Sequence, residues 1–181
     1  DNYTFMIFTG PVGPYYSRPV RLYAEQKYVR AVKGGVGEAK AAGNYAASLL
    51  PAKLAHEKGY DQIMWMDAHE FKYIQEVGTM NIFFVIDDVV VTPSTDGAIL
   101  KGITRDSILT LLKDNGYKVE ERPVSIDELI EADAKGTLQE AFGTGTAAVV
   151  SHVSEIAYKD QVLKLPPVEQ HKISSWAKKT I

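Results

Sequence analysis

The sequence predicts an α+β fold in which strands outnumber helices and pair mostly antiparallel. Three observations indicate this class: short β-branched and aromatic runs recur along the chain, most are joined by turns short enough for hairpins, and few segments have helical periodicity. The length of 181 residues, with 45% hydrophobic residues, allows one sizeable core and one domain. We therefore expect mixed sheets with flanking helices and not a doubly wound parallel sheet.

The first predicted elements are two short strands on either side of a connector. Residues Tyr3 to Phe8 are mostly β-branched or aromatic and precede a stretch of glycines and prolines, which predicts a strand followed by a turn. Residues 11–24 are predicted to be a connector, and Tyr28 to Val32 a second strand. That strand ends at GGVGEAK (residues 34–40), whose glycines allow the chain to turn sharply.

A helix is predicted from Asn44 to Lys58. Asn44 is a residue type that caps helices, and Gly59 favours termination directly after Lys58. Pro51 has no backbone N–H, so it predicts a kink inside this helix.

The stretch from Gln62 to Thr92 has the pattern of an antiparallel meander. Runs of strand-forming residues alternate with turn residues, among them DAHE at 67–70 and the aspartate pair at 87–88. The predicted strands are 62–66, 71–76, 80–86 and 89–91.

The remaining chain mixes helices and strands. Apolar residues at helical spacing predict a helix from Thr104 to Asn115, with Gly116 just past its end. Ser125 and Glu128 have the spacing of a capping box, which predicts a second helix to about Ala134. Further strands are predicted at 118–122, 138–142, 147–158 and 162–165, and a last helix at 168–179.

Composition excludes several classes of protein. A net charge of −3 gives no electrostatic reason for a nucleic-acid partner, and the chain has no cysteine for disulfides, thiolate metal sites or a thiol nucleophile. No apolar run approaches the length of a membrane span, so we expect a cytoplasmic protein without a membrane partner. The four histidines are far apart and lack ligand spacing, which argues against a metal site; they are His56, His69, His152 and His171.

Four glycine-containing turns are candidate binding sites, because exposed backbone N–H groups can hold anions. They lie at residues 34–40, 76–81, 100–107 and 142–148. The segment from Gly102 to Thr104 opens a predicted helix, so it could hold a phosphate, or Thr104 could simply cap that helix. Thr144 and Thr146 could donate to a carboxylate, or they could lie in a plain β-turn.

Two charged residues are candidates for chemistry. Lys40 closes the glycine-rich turn, and an amine turned into a pocket there would be neutral more readily and could act as a nucleophile. The alternative interpretation is that Lys40 is an ordinary surface lysine whose charge is solvated. Glu76 ends an apolar strand and either is a solvated strand end or faces a cationic ring nitrogen.

Taken together and in order, five segments resemble the large domain of branched-chain aminotransferases, pyridoxal-phosphate enzymes of fold type IV. They are GGVGEAK with AAGNYAAS, EVGTMNIFFV, TPSTDGAILKGITRDSIL and LQEAFGTGTAAVV. The resemblance covers nearly the whole chain. It implies a pseudo-barrel of mixed, mostly antiparallel sheets with flanking helices.

The resemblance also implies roles for individual residues. Lys40 corresponds to the catalytic lysine that binds pyridoxal phosphate covalently and then moves a proton, while Tyr45 and Glu76 correspond to partners of the ring oxygen and the ring nitrogen. The implied phosphate contacts are Ile103, Thr104 and Thr146, and the implied substrate contacts are Tyr15, Thr79, Thr146 and Ala147. The implied reaction is transamination of leucine, isoleucine or valine with 2-oxoglutarate.

Members of that family carry a smaller domain before PVGPYY, and it is absent from this sequence. The resemblance therefore implies that residues 1–10 are the last strand of a missing domain, 11–24 the interdomain connector, and 25–181 the cofactor-binding large domain. It further implies a homodimeric full-length parent and a weak or inactive isolated fragment.

Two alternatives stay open. A D-amino-acid aminotransferase or an aminodeoxychorismate lyase would share the lysine and the glutamate. The sequence motif EVGTMN nevertheless favours the branched-chain enzymes. A non-catalytic binding or assembly module could keep the fold without the activity, and the intact Lys40, Tyr45 and Glu76 argue against such decay.

Overall fold

A computed structural model describes residues 2–11, 13 and 15–181 of the chain. The strands are β1 Val20–Ala24, β2 Gln62–Met66, β3 Ile74–Val77, β4 Asn81–Ile86, β5 Val89–Thr92, β6 Val119–Glu121, β7 Leu138–Gly145, β8 Val149–Tyr158 and β9 Gln161–Lys164. The helices are α1 Ala42–Ala47, α2 Leu49–Glu57, α3 Ile103–Asp114, α4 Ile126–Ala134 and α5 Lys172–Thr180, and a short 3-10 helix at Val168–Gln170 precedes α5.

The strands form one curled mixed sheet, a half-barrel flanked by helices, as the fold prediction stated. Its order is β3-β2-β1-β8-β7-β4-β5-β6, and β9 pairs with β8. Among the described strands five of the eight pairings are antiparallel; β1 with β2, β1 with β8, and β5 with β6 are parallel. None of the helices in the described residues combines the length and the apolar character needed to cross a bilayer.

Strand β4 is buried on both faces of the sheet. Successive side chains of a strand point to opposite sides, so Phe83 and Phe84 enter different clusters of the core. Phe83 stacks on Phe142 of β7 with ring centroids 5.1 Å apart, in the cluster that α3 and α5 cover. Phe84 packs in the cluster that includes Leu129 of α4. The core therefore holds β3 and β4, on either side of the turn at residues 78–80, in fixed positions.

The predicted cap of α4 is confirmed: the hydroxyl of Ser125 accepts a hydrogen bond from the Glu128 N–H at 3.1 Å. We expect Ser125→Ala to lower the free energy of unfolding by about 1 kcal/mol, because one N–H of the first turn loses its partner. Urea unfolding measures this change. The control is Ser175→Ala inside α5, where alanine favours the helix; an equal loss in both variants would contradict the capping role.

Two predictions about the first 24 residues are wrong in detail. Residues 3–8 form no strand, and their large apolar side chains are 67 to 90% exposed, because a strand is stable only when a neighbour pairs with it and no described strand lies beside them. The predicted connector 11–24 contains β1, which lies in the middle of the sheet. Its run VRLYA is only five residues long and follows a stretch of glycines and prolines that ends at Pro19, a composition that is typical of a connector. The proposed domain boundaries stay a prediction.

Two further corrections concern residues 28 to 58. Residues 28–32 form no strand, because the side chain of Arg30 turns inward to bind loop carbonyls instead of packing on a sheet. The predicted helix from Asn44 is divided at Ser48 into α1 and α2, and Pro51 lies in the first turn of α2, where a missing N–H costs little. Asn44 lies inside α1 and does not cap it. Gly59 ends α2 with a φ of +88°, as predicted.

Candidate active site

Glu76 of β3 is a buried carboxylate with two protein partners. Its Oε1 atom accepts a hydrogen bond from the Leu100 N–H at 2.6 Å and lies 3.2 Å from an Nη2 atom of Arg30. The carboxylate side chain is only 4% exposed. Burial raises the pKa of Glu76 to about 7, although the Arg30 charge and the Leu100 hydrogen bond both lower it. The group therefore changes its charge close to neutral pH.

Arg30 is the second buried charge of the site. Its side chain is 7% exposed, and Nη2 donates to the carbonyl oxygens of Gly37 and Ala98 as well as facing Glu76. Its Nε atom is buried without a hydrogen-bond partner. One guanidinium thus connects β3, the glycine loop (residues 34–40) and the segment 98–102 that leads into α3.

The glycine loop is held against its surroundings by several contacts. The side-chain amide of Asn44 donates to the carbonyls of Val36 at 2.9 Å and Ala39 at 3.1 Å. Lys101 lies 3.3 Å from the carboxylate of Glu38. These contacts place the end of the loop, and with it the backbone of Lys40, beside the start of α3.

The side chain of Lys40 does not point into a pocket, contrary to the sequence-based expectation. It is exposed, and it does not line the cavity beside Glu76. The physical reason is that no described element covers the end of the glycine loop, so the amine of Lys40 faces solvent. The chemistry expected of Lys40 thus requires a further protein segment or a bound molecule that shields the amine from water.

Three predicted site residues come together around one small cavity. Tyr45, Glu76 and Thr79 line a space of about 10 Å³, together with Arg30, Asn44, Ser48, Gly78 and Leu100. That volume is close to the minimum for one water molecule. The cavity therefore marks where the predicted side chains converge, and it is far too small to enclose a ring.

The start of α3 lies directly beside Glu76 through the segment 98–102. Gly102 is the N-cap residue and no side chain caps the helix, so Thr104 does not have the capping role that was one of its two interpretations. Ile103 is exposed and Thr104 is half-buried. The side-chain amide of Asn81 donates a hydrogen bond to the carbonyl oxygen of Leu100 at 2.9 Å. The first N–H groups of α3 are therefore free of side-chain partners.

The remaining predicted residues lie around the β7–β8 hairpin. Thr146 and Ala147 are exposed in its turn. Ala147 and Tyr15 both line a second, larger cavity of about 750 Å³. A Cβ atom built on Gly145 would lie 3.7 Å from the carbonyl oxygen of Thr79, so the turn before β4 packs against this hairpin. Six of the nine predicted residues thus lie in two adjoining groups, while Lys40, Ile103 and Thr104 line neither cavity.

Comparison with known proteins agrees with this arrangement. The family model for amino-transferase class IV matches residues 1–156, and the chain therefore belongs to the class IV aminotransferase family. Branched-chain-amino-acid aminotransferase 2 of Bacillus subtilis is 52% identical over 167 residues, covering 91% of this chain and 46% of the relative. The resemblance to branched-chain aminotransferases noted in the sequence is thereby confirmed.

Solved structures give the same result. The branched-chain aminotransferase of Thermoproteus uzoniensis with norvaline has a TM-score of 0.76 at 31% identity, covering 93% of this chain and 54% of that one. An aminotransferase of Brucella abortus bound to the cofactor PLP has a TM-score of 0.74 at 25% identity, covering 93% and 54%. This chain spans about half the length of the relatives it matches.

Sequence reasoning missed two residues that organise this site. Arg30 stands inside a run of apolar and aromatic residues, and a charge inside a predicted strand could have indicated a buried ion pair. Asn44 was considered only as a helix cap, whereas its amide binds two carbonyls of the glycine loop. The carbonyl groups that both residues bind lie in irregular backbone, which local patterns do not reveal.

Proposed function

We propose that this chain is the cofactor-binding part of an enzyme that transfers the amino group of branched-chain L-amino acids to 2-oxoglutarate with pyridoxal phosphate. The observation that carries the proposal is the set of buried contacts at Glu76. Through Arg30 and the Leu100 N–H, the carboxylate is tied to the loop that ends at Lys40 and to the segment that opens α3.

The residues present fit pyridoxal phosphate. The cofactor needs an amine for covalent attachment, a carboxylate for its ring nitrogen and donors for its phosphate. Lys40 offers an accessible amine, Glu76 a carboxylate, and the uncapped start of α3 at Ile103 and Thr104 free N–H groups. Because the cavity of about 10 Å³ cannot enclose a pyridine ring, the ring would need space beyond this cavity.

When bound, pyridoxal phosphate supplies an electron-accepting ring that makes the α-proton of an amino acid removable. Lys40 would bind the cofactor through its amine and then, once displaced by substrate, move the α-proton with the same atom. The carboxylate of Glu76 would keep the ring nitrogen protonated, and the hydroxyl of Tyr45 would orient the ring. The N–H groups of Ile103 and Thr104 would bind the phosphate.

The turn of the β7–β8 hairpin and the residues facing it would bind the substrate. Thr146 would contribute to the phosphate site and, with Ala147, present backbone donors to the substrate carboxylate. Tyr15 and Thr79 would line the pocket for the side chain. The Thermoproteus uzoniensis relative is described with norvaline, an amino acid with an apolar side chain, which supports an apolar substrate here.

The named relatives favour the branched-chain enzymes over a D-amino-acid aminotransferase or an aminodeoxychorismate lyase. We further propose that the full-length parent is a cytoplasmic homodimer. We expect the chain on its own to turn over leucine far more slowly than that parent, because Lys40, Thr146 and Ala147 lie exposed to water in it. Exposure of these three residues is also expected if the chain is a non-catalytic module.

Reductive labelling tests the proposal. The protein is incubated with pyridoxal phosphate, reduced with borohydride and digested, and the label is located by mass spectrometry. We expect it to concentrate on the peptide that contains Lys40, because this lysine ends the glycine loop that Arg30 ties to Glu76. Lys40→Arg should remove that label, whereas Lys33→Arg, in the stretch leading into the glycine loop, should keep it. A label spread evenly over the lysines would support the inert module.

A further inference from the structure

We infer that Arg30 is a positioning residue of this site, which keeps the buried carboxylate of Glu76 charged and fixed in orientation for the cofactor ring nitrogen. The inference rests on the proposed function, because it gives Glu76 the role of partner to that nitrogen. Arg30 itself touches neither cofactor nor substrate in this scheme. It acts through Glu76 and through two loop carbonyls.

The first argument is burial. The side chains of Arg30 and Glu76 are 7% and 4% exposed, so water screens neither charge. A carboxylate in such surroundings is charged only when a cation or hydrogen-bond donors stabilise it. Burial already raises the pKa of Glu76 to about 7 with Arg30 in place. Without the guanidinium, the carboxyl would be mostly protonated at neutral pH and could no longer hold a proton on a ring nitrogen.

The second argument concerns which carboxylate oxygen of Glu76 Arg30 contacts. Arg30 and the Leu100 N–H both contact Oε1 of Glu76. Among the described residues, Oε2 has no protein hydrogen bond, so Arg30 stabilises the carboxylate without occupying the oxygen that a ring N–H could use. Rotation of the carboxylate away from this position would break both contacts to Oε1. The geometry therefore fits a support for Glu76 and not a competitor for it.

The third argument is the way Arg30 joins separate parts of the chain. Its Nη2 atom also donates to Gly37 of the glycine loop and to Ala98 of the segment before α3. The first of these segments ends at Lys40, and the second leads directly to the proposed phosphate donors at the start of α3. Tyr45 is the other titratable residue that lines the cavity beside Arg30 and Glu76. A change at Arg30 should thus affect cofactor binding as well as the charge of Glu76.

The test compares Arg30→Met, Arg30→Lys and Glu76→Gln by two readouts that need no turnover. The first is the dissociation constant of pyridoxal phosphate, followed by absorbance from pH 6 to 9. The second is the protonation of the ring nitrogen, followed by NMR with cofactor labelled with nitrogen-15 in the ring. We expect Arg30→Met to weaken binding roughly tenfold or more and to lower the pH at which the ring nitrogen loses its proton. Arg30→Lys should restore part of both effects.

A double-variant cycle separates this role from a merely structural one. In a Glu76→Gln background, Arg30→Met should have little further effect on ring protonation, because there is no carboxylate left to support. Arg122→Met, which removes an arginine paired with Glu120 and Glu128 away from the site, should leave both readouts unchanged. If Arg30→Met does not fold, Arg30→Lys and Glu76→Gln still supply both readouts.

Three outcomes are decisive. Unchanged affinity and unchanged ring protonation in Arg30→Met, or in Arg30→Lys if the former does not fold, would overturn the inference. Equal effects of Arg30→Met with and without Glu76 would also overturn it, since Arg30 would then act through the loops alone. If wild-type protein fails to capture pyridoxal phosphate at Lys40, the proposed function itself fails, which is a different result from these two.

Discussion

We expect Gly37→Ala to lower the free energy of unfolding by about 1 to 3 kcal/mol and to weaken pyridoxal phosphate binding. A Cβ atom on Gly37 would lie 2.5 Å from the carbonyl oxygen and 2.7 Å from the carbonyl carbon of Ala98. Both are backbone atoms, so no flexible side chain can move aside, and the glycine loop must separate from segment 98–102. The same shift would disturb the hydrogen bond from Arg30 to the Gly37 carbonyl. Urea unfolding and a cofactor titration measure the two losses.

The matched control is Gly43→Ala in α1. No heavy atom lies within 4 Å of a Cβ built there, and Gly43 is exposed within the helix. Because alanine favours a helix over glycine, this variant should be up to about 1 kcal/mol more stable than wild type. If the two alanine variants behaved alike, the close approach at Gly37 would not be what stabilises the site.

The second large effect concerns the pH dependence of stability. Burial raises the pKa of Glu76 from 4.5 to about 7 in the folded protein. Between these values the folded chain holds a proton that the unfolded chain has lost, so the free energy of unfolding falls as the pH rises. One proton corresponds to about 1.4 kcal/mol per pH unit, which gives roughly 3 kcal/mol over this window. Glu76→Gln has no charge to titrate and should lose this slope.

The measurement is urea unfolding of wild type and Glu76→Gln from pH 4.5 to 7.5. His152 acts in the opposite direction, because burial, with smaller contributions from His171 and Lys178, lowers its pKa from 6.5 to about 4. Its contribution to stability rises with pH over that range and is common to both proteins, so the difference between the two curves isolates Glu76. Glu57→Gln, at an exposed position of α2, is the control and should follow the wild-type curve. A constant difference between wild type and Glu76→Gln would contradict the prediction.

Local patterns were sufficient for most of the fold. The strand at Gln62–Met66 and the Ser125 cap follow from alternation, turn residues and capping chemistry, which act over a few positions. Local patterns were insufficient for segments whose structure depends on a partner that is distant in the sequence. Residues 3–8 have strand composition but no neighbouring strand, whereas β1 follows a stretch with the composition of a connector and is ordered by pairing with β2 and β8.

The same distinction applies to the site. Tyr45, Glu76 and Thr79 were named from the sequence and line one cavity. Arg30 was not, because its ion pair joins positions 46 residues apart through irregular backbone, and neither helical nor strand periodicity encodes such a contact. The exposure of Lys40 could not be read from its glycine-rich turn either, since exposure depends on which elements cover that turn.

The position of β1 also has a consequence for how the chain reaches its native state. This central strand pairs with β8, and Arg21 contacts Glu155 at 2.7 Å across 134 residues of sequence. Contacts of such separation form late, because a long loop must close before they are made. During synthesis the ribosome must therefore release the chain through β8, at residues 149–158, before β1 acquires its second neighbour. Until then, the edge of β1 is available to chaperones and to other nascent chains.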